Sequence, residues 1–141
     1  MLLVPVRVAP SPIRGLGVFT LEPIREGRDV WRFTPGFDLD LDPALVEAQP
    51  EPFRGRLLHY GYIDPRLRRY ILCADGARSI NHGEHANLRA DYAGDRYGVG
   101  RAARDIDARE ELTPDYRVLE GQASFASPAA RIGSRSREQG G

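Results

Sequence analysis

The sequence predicts a mainly β fold with short helices, its strands gathered into small antiparallel sheets. Apolar residues alternate over short runs at Val4–Ala9, Val18–Leu21 and Val30–Phe33, the period-2 pattern of half-buried strands. Pro, Gly and Asp-Gly signals close each run before it lengthens. Helix signals are confined to the middle of the chain.

Taken in order, Val4 to Ala9 is a first strand closed by Pro10-Ser11-Pro12. The loop Ile13-Arg14-Gly15-Leu16-Gly17 delivers the chain into a second strand, Val18 to Leu21, and Pro23 and Gly27 mark the next turn. Val30 to Phe33 is the third strand. Asp42 followed by Pro43 is an N-cap and first-turn signature, opening a helix through Ala48. Pro50 and Pro52 end it and open a second helical stretch, Phe53 to about Tyr60. Tyr70–Cys73 returns to strand, Asp75-Gly76 turns, and Tyr97–Ala103 is strand again. Asp105–Asp107 turns, and Leu112 leads to Tyr116. From Gly121 onward Gly, Ser, Ala and Arg dominate, the composition of a poorly ordered tail.

A length of 141 residues predicts one domain with one core. Basic and acidic residues balance at 20 each, so bulk charge argues for neither direct nucleic-acid binding nor an anionic membrane. All the basic residues are Arg, which base composition alone would produce. A single cysteine, Cys73, excludes an internal disulfide framework and a cysteine-based zinc cluster. No stretch approaches the ~20 apolar residues of a membrane span, and Met1 to Val8 lacks the pattern of a signal peptide. The expected location is the cytoplasm.

Two polar segments stand out: Ser79 to Asn87, which holds two of the three histidines, and Glu110 to Tyr116. Polar side chains crowded between apolar strands usually build a site, because strands hold still what loops present. In Gly15-Leu16-Gly17, two residues without Cβ let backbone approach a ligand, although alone this is also an ordinary hairpin turn. Arg14 suits a carboxylate partner or open solvent. Asn81 both donates and accepts, which suits either a polar ligand or a loop cap. His82, Glu84 and His85 invite a metal reading, but neither HExxH nor HxxEH spacing is present, so no metal site is predicted.

Arg14-Gly15-Leu16-Gly17-Val18-Phe19, Asn81-His82 to Asn87, Arg104-Asp105-Ile106, and Glu110-Glu111-Leu112-Thr113-Pro114-Asp115-Tyr116, in this order and spacing, resemble the SET-domain protein lysine methyltransferases. The likeness covers about Val4 to Leu119, within a domain taken as 1–120 with a helical insert at about 40–62 and a flexible tail at 121–141. It implies a β-clip fold of small curved sheets, with Glu110 to Tyr116 threaded under Ile80 to Asn87 as a pseudoknot. It further implies an S-adenosyl-L-methionine cofactor held by Arg14, Gly15, Leu16, Gly17, Asn81 and His82. The implied partner is a protein substrate whose lysine enters a narrow channel, with Tyr116 as the catalytic tyrosine. Tyr70, Tyr97 and Pro114 are candidates to line that channel, as are Tyr60 and Tyr62.

A substrate lysine must lose a proton before it attacks, which at pH 7 costs about 4.6 kcal/mol from its free pKa of ~10.4. A dry channel offsets most of this, because burial lowers a lysine pKa by up to ~3 to 5 units. Alignment supplies roughly 7 to 11 kcal/mol more as effective molarity, so no strong general base is needed.

The chain also departs from the family pattern at Gly83, Ala86, Arg109 and Pro114, and it has no cysteine-rich zinc segment after the domain, as in compact bacterial types. The alternative is therefore a SET-like module that binds cofactor or peptide with weakened catalysis.

Overall fold

In the computed structural model the described residues are 1–64 and 66–114, and among them eight short strands form three antiparallel sheets. The tail and the last two residues of the predicted thread, Asp115 and Tyr116, lie outside this range. β1 (Val6–Pro10) pairs with β2 (Leu16–Thr20). β8 (Val99–Ala102) is the centre of a second sheet, between β3 (Asp29–Arg32) and β7 (Leu88–Asp91). The third sheet is β4 (Leu39–Leu41), β6 (Arg69–Leu72) and β5 (Tyr62–Asp64), with β6 central. The mainly β expectation, with small antiparallel sheets and few short helices, is borne out.

The first two sheets enclose one core. Val4, Val18, Ile24, Val30, Leu88, Ala102, Ile106 and Leu112 are buried together there. Each fully buried Val, Ile or Leu contributes roughly 1.5–3 kcal/mol by leaving water. β2 is the hinge of this packing, because Val18 and Thr20 are fully buried on one face while Gly17 is buried on the other.

Helix α1 (Pro43–Glu47) begins where its cap dictates: the Asp42 carboxylate accepts from Ala44 N at 2.9 Å. Its one buried residue is Val46. Helix α2 (Phe53–Tyr60) buries none of its side chains, so the insert joins the third sheet through α1.

Three strands escaped the sequence reading. In β4 the alternation Asp38-Leu39-Asp40-Leu41 reads as polar, because Asp is a poor strand former. The structure gives each aspartate partners instead: Asp38 accepts from Thr34 N and Ala74 N, and Asp40 from the Tyr97 hydroxyl. β7, Leu-Arg-Ala-Asp, and the three-residue β5 have no strand signal of their own and form by pairing with β8 and β6. The predicted loop 13–17 is shorter than expected, since β2 starts at Leu16. Asp75-Gly76 opens a 3-10 turn over Gly76–Ser79, capped by Asp75.

Candidate functional site

The two polar segments meet beside β2. The Asn81 side-chain amide donates to Arg14 O at 2.9 Å and to Leu16 O at 2.8 Å. This fastens the Gly15 turn to the Asn81-His82 loop, 67 residues away in the chain. Asn81 Oδ1 takes no hydrogen bond among the described residues and is left to accept. Gly15 adopts a φ of +47°, which a side chain rarely permits, and a Cβ on it would meet open space. Arg14 is exposed and has no acidic partner among the described residues.

Gly17 answers a different demand. A Cβ there would stand 2.1 Å from Glu111 Oε1, so the missing side chain makes room for that carboxylate. Glu111 accepts from the Ser11 hydroxyl at 2.9 Å and from Asn81 Nδ2 at 3.1 Å. One carboxylate thus ties β1's end, β2's glycine and the Asn81 loop into one unit.

The Glu110–Pro114 segment is held from both sides. Toward β2, Leu112 N donates to Val18 O and Thr20 N to Glu110 O. Toward the other segment, Asn87 is 1% exposed; its Oδ1 accepts from Thr113 N at 2.8 Å and its Nδ2 donates to Glu111 O at 2.7 Å. Asn87 N and Leu88 N both donate to Thr113 O, and Pro114 pairs with Leu88. His82 Nδ1 lies 3.2 Å from Pro114 O. Gly83 is buried, and a Cβ on it would stand 2.7 Å from Thr113 Cβ, so the departure at that position accommodates a close neighbour.

Arg104 supports the same segment from below. It pairs with Glu110, whose carboxylate also accepts from Asp107 N at 3.0 Å. The Arg104 hydrogen bond, helped by that backbone donor, holds the Glu110 carboxyl below its usual range.

Arg14, Gly15, Leu16, Gly17, Asn81, His82 and Pro114 are therefore gathered at one place. Of the two channel tyrosines, Tyr70 lies within β6 and Tyr97 is bonded to β4. Tyr97 donates to Asp40 at 2.6 Å and stacks on Phe33. Burial would raise the Asp40 carboxyl, but hydrogen bonds from Tyr97 and Arg69 outweigh it and hold the carboxyl low. The bond to Asp40 in turn raises the Tyr97 phenol. Tyr70 is 2% exposed, its hydroxyl against Gly61 without an aligned hydrogen bond, and burial pushes its pKa up to about 12. Tyr116 lies outside the described residues.

The sequence reading passed over Glu111, Ser11 and the inward role of Asn87. Glu111 precedes a buried leucine in a polar run, and nothing local marks its partners 30 and 100 residues away. Among the described residues no group of three or more His, Cys, Asp or Glu could hold a metal ion. By residue type the grouping offers an acceptor at Asn81 Oδ1 and an exposed cation at Arg14.

The SET domain family model matches residues 15–117. No curated protein matches the chain. A candidate histone methyltransferase of Plasmodium falciparum is similar in structure, with a TM-score of 0.54 at 20% identity, covering 80% of this chain and 93% of that one. The Neurospora SET domain protein DIM-5, a histone lysine methyltransferase, gives a TM-score of 0.57 at 21% identity over 81% of this chain and 52% of that one. A Chaetomium thermophilum Polycomb Repressive Complex 2 structure, autoinhibited and bound to S-adenosylmethionine, gives 0.58 at 24% identity over 80% of this chain and 15% of that one. The chain thus spans about half of the Neurospora protein's length and a small part of the complex's chain.

Proposed function

The chain belongs to the SET-domain family, and from that membership we propose that it is an S-adenosylmethionine-dependent protein lysine N-methyltransferase. The observation that best supports the reading is the double donation of the Asn81 amide to the Arg14 and Leu16 carbonyls. It spends the donor half of Asn81 on the protein and leaves Oδ1 for a ligand's ammonium, in a unit that also carries Arg14, whose exposed guanidinium suits a carboxylate. These residue types fit the amino-acid portion of the cofactor.

When bound, the cofactor supplies a methyl group on a sulfonium. Asn81 and Arg14 would orient the ligand's charged end, and the Gly15 turn leaves the approach open. His82 would hold the neighbouring wall through Pro114. Tyr116 would accept a hydrogen bond from the substrate amine and align it, while exclusion of water keeps that amine neutral. The substrate is a protein with an accessible lysine, the domain is residues 1–120, and the expected setting is the cytoplasm.

The test is transfer of tritiated methyl into a cell lysate by the native chain and by Tyr116→Phe. Label in protein that falls sharply in the variant supports the proposal; equal label in both removes Tyr116 from the mechanism. Cofactor at about 100 times its Kd should stabilise the fold by about 2.7 kcal/mol. Stabilisation without transfer to any protein would favour the binding module instead.

A further inference from the structure

We infer that the outer face of the β1–β2 hairpin is a second binding site, for a small organic phosphate held between Arg7 and Arg109. It lies at the end of β2 away from the Gly15 turn. Because Val18 and Thr20 are buried in the core, strand alternation turns Phe19 outward, and Leu21, just past the strand, is exposed. Arg7 is the cross-strand partner of Phe19 on that face. Arg7, Phe19, Thr20, Leu21 and Arg109 line a cavity of about 420 Å³ that is broadly open to solvent.

Its charge is uncompensated. Neither guanidinium makes an ion pair or side-chain hydrogen bond among the described residues, and the carboxylates of Glu22, Glu110 and Glu111 are engaged elsewhere. Glu110 pairs with Arg104, Glu22 with Arg28, and Glu111 with Ser11 and Asn81. Two permanent cations at one cavity, neither paired with a carboxylate among the described residues, favour an oxyanion.

Backbone conformation points the same way. Arg109 has a φ of +70° in the tight turn closed by Glu110 N donating to Asp107 O. Glycine would occupy that position without strain, yet the chain places a long cation there, which directs attention to what the side chain does. A phosphate offers three oxygens and can serve two guanidinium forks, where one carboxylate satisfies one. Leu21, 54% exposed, and the half-buried Phe19 supply an apolar floor for the ligand's organic body.

Isothermal titration of the full chain with phenyl phosphate, inorganic phosphate and benzyl alcohol tests this. Phenyl phosphate should bind at least tenfold more tightly than inorganic phosphate, with affinity falling as salt rises, and benzyl alcohol should give no heat. Arg109→Gly relaxes the turn and keeps the fold, so its loss of tenfold or more in phenyl phosphate affinity, matched by Arg7→Gln, would support the site. Absence of phenyl phosphate binding, unchanged affinity in both variants, or equal affinity for inorganic phosphate would overturn it.

Discussion

Asn87 and Thr113 are bonded to each other in both directions: Asn87 Oδ1 accepts from Thr113 N at 2.8 Å, and Asn87 N donates to Thr113 O at 2.9 Å. A buried carboxamide thereby extends the short backbone pairing that the segment makes with Asn87 and Leu88 on that side. Asn87→Ala strands the Thr113 N–H and the Glu111 carbonyl. At roughly 1–3 kcal/mol for each stranded group, the variant should lose about 2–6 kcal/mol in urea unfolding. A loss below about 0.5 kcal/mol would mean that water or relaxation replaces Asn87.

Gly17 and Glu111 compete for one volume. Gly17→Ala should cost about 1–3 kcal/mol through overpacking, since its Cβ would fall 2.1 Å from Glu111 Oε1. In a Glu111→Ala background most of that penalty should vanish, giving a coupling of at least about 0.5 kcal/mol in a double-mutant cycle. Additive costs would show that Ser11 or the backbone, and not the carboxylate, sets the limit.

Asn81→Asp keeps the shape and removes the donor. The new carboxylate would face the Arg14 and Leu16 carbonyls and the Glu111 carboxylate, all of them acceptors. The expected result is a lower Tm, with S-adenosylmethionine-induced stabilisation abolished, read by thermal shift. Retention of both would detach Asn81 from the Gly15 turn.

Acid should loosen the Glu110–Pro114 segment. The Arg104 hydrogen bond lowers the Glu110 carboxyl in the folded state, so the folded form binds fewer protons there than the unfolded one. Its contribution is full above the unfolded value of ~4.3 and disappears as pH falls through the folded value. Unfolding free energies of native chain and Glu110→Gln should therefore differ at pH 7 and converge toward pH 3. A constant difference across that interval would assign the effect to packing.

Tyr70 should tolerate loss of its hydroxyl. Burial raises the phenol to about 12, and its oxygen meets the Gly61 backbone without an aligned hydrogen bond, so Tyr70→Phe removes a poorly satisfied buried polar atom. Stability should hold or rise by about 1 kcal/mol, and ultraviolet titration should lose its last-titrating tyrosine. A loss above about 1 kcal/mol would reveal an unrecognised partner.

The chain's local signals settled much of this molecule in advance. Alternation at Val4–Ala9 and Val30–Phe33, the Asp42-Pro43 cap and the spacing of Asn81, Asn87 and Glu110 are properties of neighbouring residues, and neighbouring residues are what periodicity, caps and motifs describe. Tertiary structure alone decided the rest. Leu39-Asp40-Leu41 became a strand because Tyr97 and Arg69 satisfy Asp40, and Gly17 proved to make room for the Glu111 carboxylate. Arg7 and Arg109 came to share one cavity. Each of these depends on contacts between groups dozens of residues apart, whose energies exist only once the chain has closed the loops between them.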